Sequence, residues 1–490
     1  MSGRGRSQGA VNAGPGKDGA RSRERDGGSC AGAVSCSERS PKAAGSNGRR
    51  KPASSKKGRG STQRERLLAG MVTAAALDGY ASASVSRVIA EAGVSRPTFY
   101  EYFADKDDCF LAALADVQNR LLHEVRVAVE SRDPRLALTS AVAALLEFVT
   151  AEAEQARFLT GQAMSAGPRA LDTRDAGVVQ IERVVRAAFR TVHADQGWPD
   201  VSPRVIIGGL HRLSASLLRR GEPDVAGLMP EFSAWIESYE RPAGELLWTS
   251  LRPRTLRTPA PPPIVLSPPE PLPPGNTGLS KKEIAANHRE RLRHAAAQLA
   301  EQKGYNATTV ADITKLAGVD GRAFYTVFAD KQDAFMAAHE FGAEQVMEAA
   351  ATGFFRGESW PERVWEGGRA FAAFLENNPL VGHVGFVEAY AVGPGAVQRV
   401  EDSHLAFTIF LQEGYQHGDQ SARPPRLGLD AIITSIFEIV YLQTRGHRQP
   451  NIAGMLGHTS FLALAPFLGA AEAAEFVEHQ LVPRRRNARG

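Results

Sequence analysis

Residues 84–106 read SVSRVIAEAGVSRPTFYEYFADK, and their reading decides the fold. Ser84 is a favourable N-cap. Val85, Val88, Ile89 and Ala92 then fall on one apolar stripe at helical spacing. Gly93 tolerates the positive φ of a tight turn, and Val94 follows as a plug for a small core. Ser95 caps a second short helix whose buried side is Phe99 and Phe103. This is the pattern of a helix-turn-helix. Residues 309–331, TVADITKLAGVDGRAFYTVFADK, repeat it 225 positions later without a gap.

The identities between the copies include Gly79/Gly304, Tyr80/Tyr305, Gly93/Gly318, Phe99/Phe324, Tyr100/Tyr325, Phe103/Phe328 and Lys106/Lys331. Turn glycines and core aromatics are the positions that duplication of one fold would retain. Upstream of the first copy, Leu67, Leu68, Met71, Ala74 and Ala75 line one helix face, and Gly79-Tyr80 closes that helix. Leu292, Ala295, Ala296 and Leu299 do the same before Gly304-Tyr305.

Downstream of each copy the pattern is long Ala/Leu/Val-striped helices. In the first half the breaks fall at Arg132-Asp133-Pro134, Gly167-Pro168, Gly197-Trp198-Pro199 and Gly221-Glu222-Pro223. No alternating strand pattern of any length occurs, so the fold class is all-α. Residues 252–279 hold ten prolines and read as an extended linker. At about 3.1 Å per residue it would reach on the order of 80–90 Å. That reach suffices to run from the far end of the first helical domain back to the start of the second copy.

The resulting organisation is a basic, disordered tail over 1–60, a helix-turn-helix domain over 61–108 and a helical regulatory domain over 109–251. After the Pro-rich linker come a second helix-turn-helix domain over 280–333, a second regulatory domain over 334–482 and a basic end over 483–490. The tail has 14 Lys/Arg against 4 Asp/Glu and almost no large apolar side chains. It cannot bury enough surface to offset the entropy of ordering.

Four hundred and ninety residues exceed one ordinary core. A hydrophobic content of 43% with 23% charge is that of a globular protein. Cys30, Cys36 and Cys109 are too few for a disulfide framework or a zinc site. No uninterrupted apolar run of membrane-spanning length and no leader-like segment are seen, which points to the cytoplasm and away from a membrane.

At these residues the sequence resembles the TetR family of bacterial transcriptional regulators, twice over. The resemblance rests on Gly79-Tyr80, Ser84, Val88, Ala92-Gly93-Val94-Ser95, Tyr100, Phe103 and Lys106. In the second copy it rests on Gly304-Tyr305, Thr309, Ile313, Ala317-Gly318-Val319, Tyr325, Phe328 and Lys331. Ile89 departs from it, standing where the family has a small Ala for close helix packing. The resemblance implies a double-stranded DNA operator, an unknown small-molecule effector and pairing, either as an intramolecular pseudo-dimer or as a homodimer. It implies no cofactor and no catalysis.

The candidate DNA contacts in the first copy are Ser84, Ser95, Arg96, Thr98, Tyr100, Tyr102 and Lys106. In the second they are Thr309, Arg322, Tyr325 and Lys331. Arg96 suits a phosphate or a guanine, and Thr98 a base edge or a thymine methyl. Tyr100 and Tyr102 would set hydroxyls on phosphates, the alternative being core packing with a wet hydroxyl. Ser84 and Lys106 sit at helix starts, which favour anions. The second copy replaces Thr98 by Ala323, Tyr102 by Val327 and Ser95 by Asp320. It nevertheless keeps Lys281, Lys282, Arg291, Arg293 and Arg322, so it would hold DNA by backbone charge with reduced base reading. His193, His211, His383, His404, His417 and His458 lack metal-ligand spacing. Glu388, Tyr390 and His383 are candidates to line a pocket, against ordinary core or surface roles. Trp198, Trp235 and Trp248 read as core and interface anchors, and Gly208-Gly209 and Gly367-Gly368 as close helix contacts.

Overall fold

The computed structural model describes residues 62–483 apart from 192–197, 223, 242–245, 274, 276–277, 418–423 and 448. The tail expected over 1–60, with Cys30 and Cys36, His193 and the basic end at Arg484–Arg486 lie outside the described residues. Cys109 is buried and free.

The first module comprises α1 (Gln63–Asp78), α2 (Val85–Ala92) and α3 (Arg96–Tyr102). Thr62 and Glu65 form a reciprocal capping box at the start of α1. Gly93 adopts φ 60° and ψ 42°, the left-handed conformation that the turn into α3 demands. At Gly70 a side chain would lie 2.8 Å from the Val88 carbonyl. Close α1–α2 packing is thus secured from α1, while Ile89 lies half-buried at the core's edge.

From there α4 (Lys106–Glu130) continues through position 108 without a break and leads to α5 (Ala137–Ala151). Next come α6 (Ala153–Arg157), a π-helical turn (Phe158–Gln162) and α7 (Ala163–Ser165). The first half ends with α8 (Pro168–Phe189), α9 (Pro203–Arg220) and α10 (Met229–Glu237). Two residues of strand, Trp198–Pro199, pair with Glu240–Arg241.

The second half repeats the plan: α11 (Lys281–Lys303), α12 (Val310–Ala317), α13 (Gly321–Val327) and α14 (Lys331–Phe354). These precede α15 (Trp360–Asn377), α16 (Pro379–His383) and a second π-helical turn, Val384–Glu388. Four more α-helices follow among the described residues: α17 (Pro394–Leu405), α18 (Arg426–Gly446), α19 (Leu456–Leu468) and α20 (Ala470–Gln480).

The halves are joined by α9 against α18. A side chain at Gly208 would lie 2.5 Å from Glu438, and one at Gly209 would lie 2.4 Å from Ser435. Only glycine permits that approach. It brings Glu438 within 2.6 Å of Arg174 Nη1 and 3.1 Å of Arg212 Nε, all three buried. Burial opposes ionisation of Glu438, but the two guanidiniums outweigh it and hold the carboxyl at about 2. Trp235 donates to the Tyr239 hydroxyl, which donates to the Leu462 carbonyl. Trp248 stacks on Phe461 with centroids 5.4 Å apart. Of the tryptophans named from the sequence, Trp248 thus meets the second half directly and Trp235 through Tyr239.

The Pro-rich segment runs along the second half. Arg254 pairs with Glu478 at 2.9 Å, and Leu256 bridges Leu481. Farther on, Asn378 donates to Ile264 O and accepts from Leu266 N, and Asn287 donates to Glu270 O near the start of α11. Charged residues interrupt Pro134–Ala151 and Arg426–Gly446, the two described helices that reach membrane-spanning length and hydropathy. Both are more than half buried in the core.

Candidate DNA-binding surfaces

Caps shape the first surface. Ser84 Oγ accepts from Arg87 N at 3.2 Å. Ser95 Oγ accepts from Thr98 N at 3.3 Å and lies 2.9 Å from Thr98 Oγ1. Arg96 Nη2 donates to Ser86 Oγ at 2.7 Å, which orients the guanidinium across the α2–α3 turn. Tyr100 is 52% exposed and Tyr102 41%, so neither is a core residue. Phe99 and Phe103 are buried beneath them.

In the second module Thr309 and Asp312 form the capping box of α12. Lys303 holds Asp312 at 2.6 Å and, with the Thr309 hydrogen bonds, lowers its carboxyl to about 2. Asp320 accepts from Arg322 N at 2.8 Å, the N-cap role open to an acid at a helix start. Tyr325 is 65% exposed, while Val327 packs against the module's core. Arg96 falls opposite Gly321 in the repeat, and Arg322 opposite Pro97. The cation is thus shifted by one residue, about 100° around the helix.

The two lysines also have a structural job that their helix-start position does not suggest. Lys106 Nζ donates to Tyr80 O at 3.1 Å and lies 4.0 Å from the ring centroid. Lys331 does the same to Tyr305, at 2.9 and 4.2 Å. Burial lowers the pKa of both ammoniums. They tie the fourth helix of each half to the end of its first, in addition to any contact with phosphate.

Other anchors escaped the sequence reading. Arg66 Nη1 donates to Gly93 O at 3.4 Å and Arg291 Nη2 to Gly318 O at 3.3 Å, closing the carbonyl end of α2 and α12. Arg64 and Arg289 lie over Phe103 and Phe328. The signal was present in the repeated Arg-Glu-Arg of 64–66 and 289–291. Arg291 and Arg293, counted above as free positive charge, are engaged at Gly318 and over Phe341. Each module also meets its regulatory part through one matched bond. Tyr80 N donates to Gln162 Oε1 at 2.7 Å, and Tyr305 N to Glu388 Oε2 at 2.8 Å. Both acceptors are the last residue of a π-helical turn. Among the described residues no cluster suited to a metal occurs.

A family model for bacterial regulatory proteins of the tetR family matches residues 67–113 and again 292–338. The chain thus carries two TetR-family helix-turn-helix modules in tandem. It is similar to the HTH-type transcriptional activator FasR of Mycolicibacterium smegmatis, 28% identical over 29% of this chain and 64% of that one. The match thus spans just under two thirds of that relative's length. It is also similar to the uncharacterized HTH-type transcriptional regulator YdgC of Bacillus subtilis, 26% identical over 36% of this chain and 91% of that one. Among solved structures, FadR of Bacillus subtilis in complex with stearoyl-CoA aligns at 17% identity. It covers 36% of this chain and 97% of that chain, with a TM-score of 0.31.

Proposed function

We propose that this TetR-family chain is a cytoplasmic, non-catalytic transcriptional regulator that works as an intramolecular pseudo-dimer on one DNA operator. The observation that carries the reading is the α9–α18 junction. Two glycines and a buried Arg–Glu–Arg cluster make one body of the two halves, and each half carries a helix-turn-helix. Paired recognition helices read paired half-sites.

In this reading α3 enters the major groove and reads bases through Arg96 and Thr98, with Ser84, Ser95, Tyr100, Tyr102 and Lys106 on the backbone. The second module positions through Thr309, Arg322, Tyr325 and Lys331. The operator is therefore asymmetric. A small-molecule effector bound in a regulatory domain releases the operator by favouring one of two states. The regulatory part of the second half supports an apolar effector, since it encloses a cavity of about 100 Å³ walled by Phe354, Phe371, Phe407, Phe410 and Phe437.

A second reading rests on Ala323 and Val327, which remove two hydrogen-bonding groups from α13: only the first module binds DNA. Selection of binding sites from a random duplex pool, repeated with Tyr100→Ala and Tyr325→Ala, separates the two. The pseudo-dimer reading expects both variants to weaken binding. Loss with Tyr100→Ala alone supports the second reading.

A further inference from the structure

We propose that a cavity between the two halves is a binding site for a small amphiphilic oxyanion, anchored by the Arg212 guanidinium. The cavity measures about 320 Å³, within the range of ligand sites. It is separate from the phenylalanine-walled cavity of the second half. Its walls come from the loop after α1 (Gly79–Ser82), the first π-helical turn, α9, and residues 390–397 of the second half. Arg157, Arg212 and Arg219 line it, and no Asp or Glu does. The rest of the wall is largely apolar or aromatic, with Leu77, Tyr80, Met164, Leu218, Tyr390 and Val397.

Arg212 is 5% exposed. Its Nε donates to Glu438, but neither Nη1 nor Nη2 has a hydrogen-bond partner. The acids around it are engaged elsewhere, and none bonds to those terminal nitrogens. Glu438 serves both Arg174 and Arg212. Asp175, the other acid on Arg174, is shared with Arg445. Nearby Glu401 is engaged by Arg219, and buried His404 is kept neutral, chiefly by its burial. The rings of Tyr390 and Tyr441, 5.3 and 4.8 Å from the guanidinium carbon, hold the side chain in place.

Buried donors left unmatched are costly. A planar guanidinium with its terminal nitrogens free is shaped for two oxygens of a carboxylate or phosphate. The apolar walls call for a body attached to that headgroup. At the 226-residue offset that pairs Gln162 with Glu388, Arg212 falls opposite Glu438, so the arrangement is not repeated in the second half. One site per chain follows.

Calorimetric titration of the full chain with benzoate, phenyl phosphate and uncharged benzyl alcohol tests this. The expected result is saturable binding of at least one anion, one equivalent per chain, at least tenfold tighter than benzyl alcohol. The tighter anion identifies the headgroup. Arg157 is exposed at the cavity, and Arg157→Glu should weaken anion binding several-fold with an unchanged melting temperature. Arg212→Gln should abolish it. Should that variant fail to fold, Arg157→Glu decides. The proposal is overturned by equal binding of benzyl alcohol, by two equivalents per chain, by wild-type affinity in Arg157→Glu, or by no saturable binding of either anion up to about 10 mM.

Discussion

In the first module Ser95 holds both the amide and the hydroxyl of Thr98; in the second Asp320 holds the Arg322 amide, and Ala323 has no hydroxyl to hold. The cores differ in the same sense. Phe99, Phe103 and Met71 belong to an apolar cluster continuous with the regulatory domains. Leu292, Phe324 and Phe328 form a smaller cluster of their own. The shared parts are those that fix geometry: the turn glycines, the arginines that close α2 and α12, and the lysines over Tyr80 and Tyr305. Duplication has conserved the scaffold and left each reading face and each attachment to change independently.

The contrast presupposes that both modules stand on one body, and the strongest way to break it is at Glu438. Glu438→Ala leaves Arg174 and Arg212 buried without their shared carboxylate. It should cost about 3–5 kcal/mol, seen as a lower melting temperature. DNA binding through both modules should fall with it.

A smaller effect separates the reading faces. Thr98→Ala should relax preference at one base pair by about 1 kcal/mol or more without changing the salt dependence. Arg322→Ala should weaken binding to all sequences alike and reduce the salt slope by about 1. Binding measured on a panel of duplexes at several salt concentrations checks both.

The attachment of the modules is tested by hydrogen exchange. Amides of α12 should exchange at least about tenfold faster than those of α2, about 1.4 kcal/mol in opening free energy. Equal protection would remove the difference inferred from the two cores.

The smallest effect per residue comes from acid. His211 is lowered to about 3 by burial and then by Arg174, and His339 to about 4 by burial and then by Arg399. Burial and His339 also depress His404. Folded pKa values below the unfolded value mean that the unfolded chain binds more protons. The stability from these groups is therefore complete above about pH 6.5 and is lost as pH falls towards the folded values. Between pH 7 and pH 6 each histidine should cost on the order of 0.7 kcal/mol. Two of the three lie in the second half, which should lose exchange protection first.

The helix-turn-helix modules were legible because local chemistry sets them: caps at Ser84 and Thr309, left-handed glycines at 93 and 318, and Phe pairs four apart. Exposure of Tyr100, Tyr102 and Tyr325 was legible for the same reason. The hold of each lysine on a Tyr carbonyl 26 residues earlier was not legible, because only the fold shows the two to be adjacent. Gly208-Gly209 read correctly as a close contact, but its partner on α18 lies more than 220 residues away and no local pattern names it. The unmatched Arg212 was invisible, since only the fold shows which of its neighbours carry charge.

The central claim is that one chain supplies both modules to one operator. The most direct test is the mass of the protein–DNA complex at low micromolar concentration, on a duplex selected from a random pool. One 52.6 kDa chain per duplex with an asymmetric footprint is the predicted result. Two chains per duplex on a perfect palindrome would contradict it.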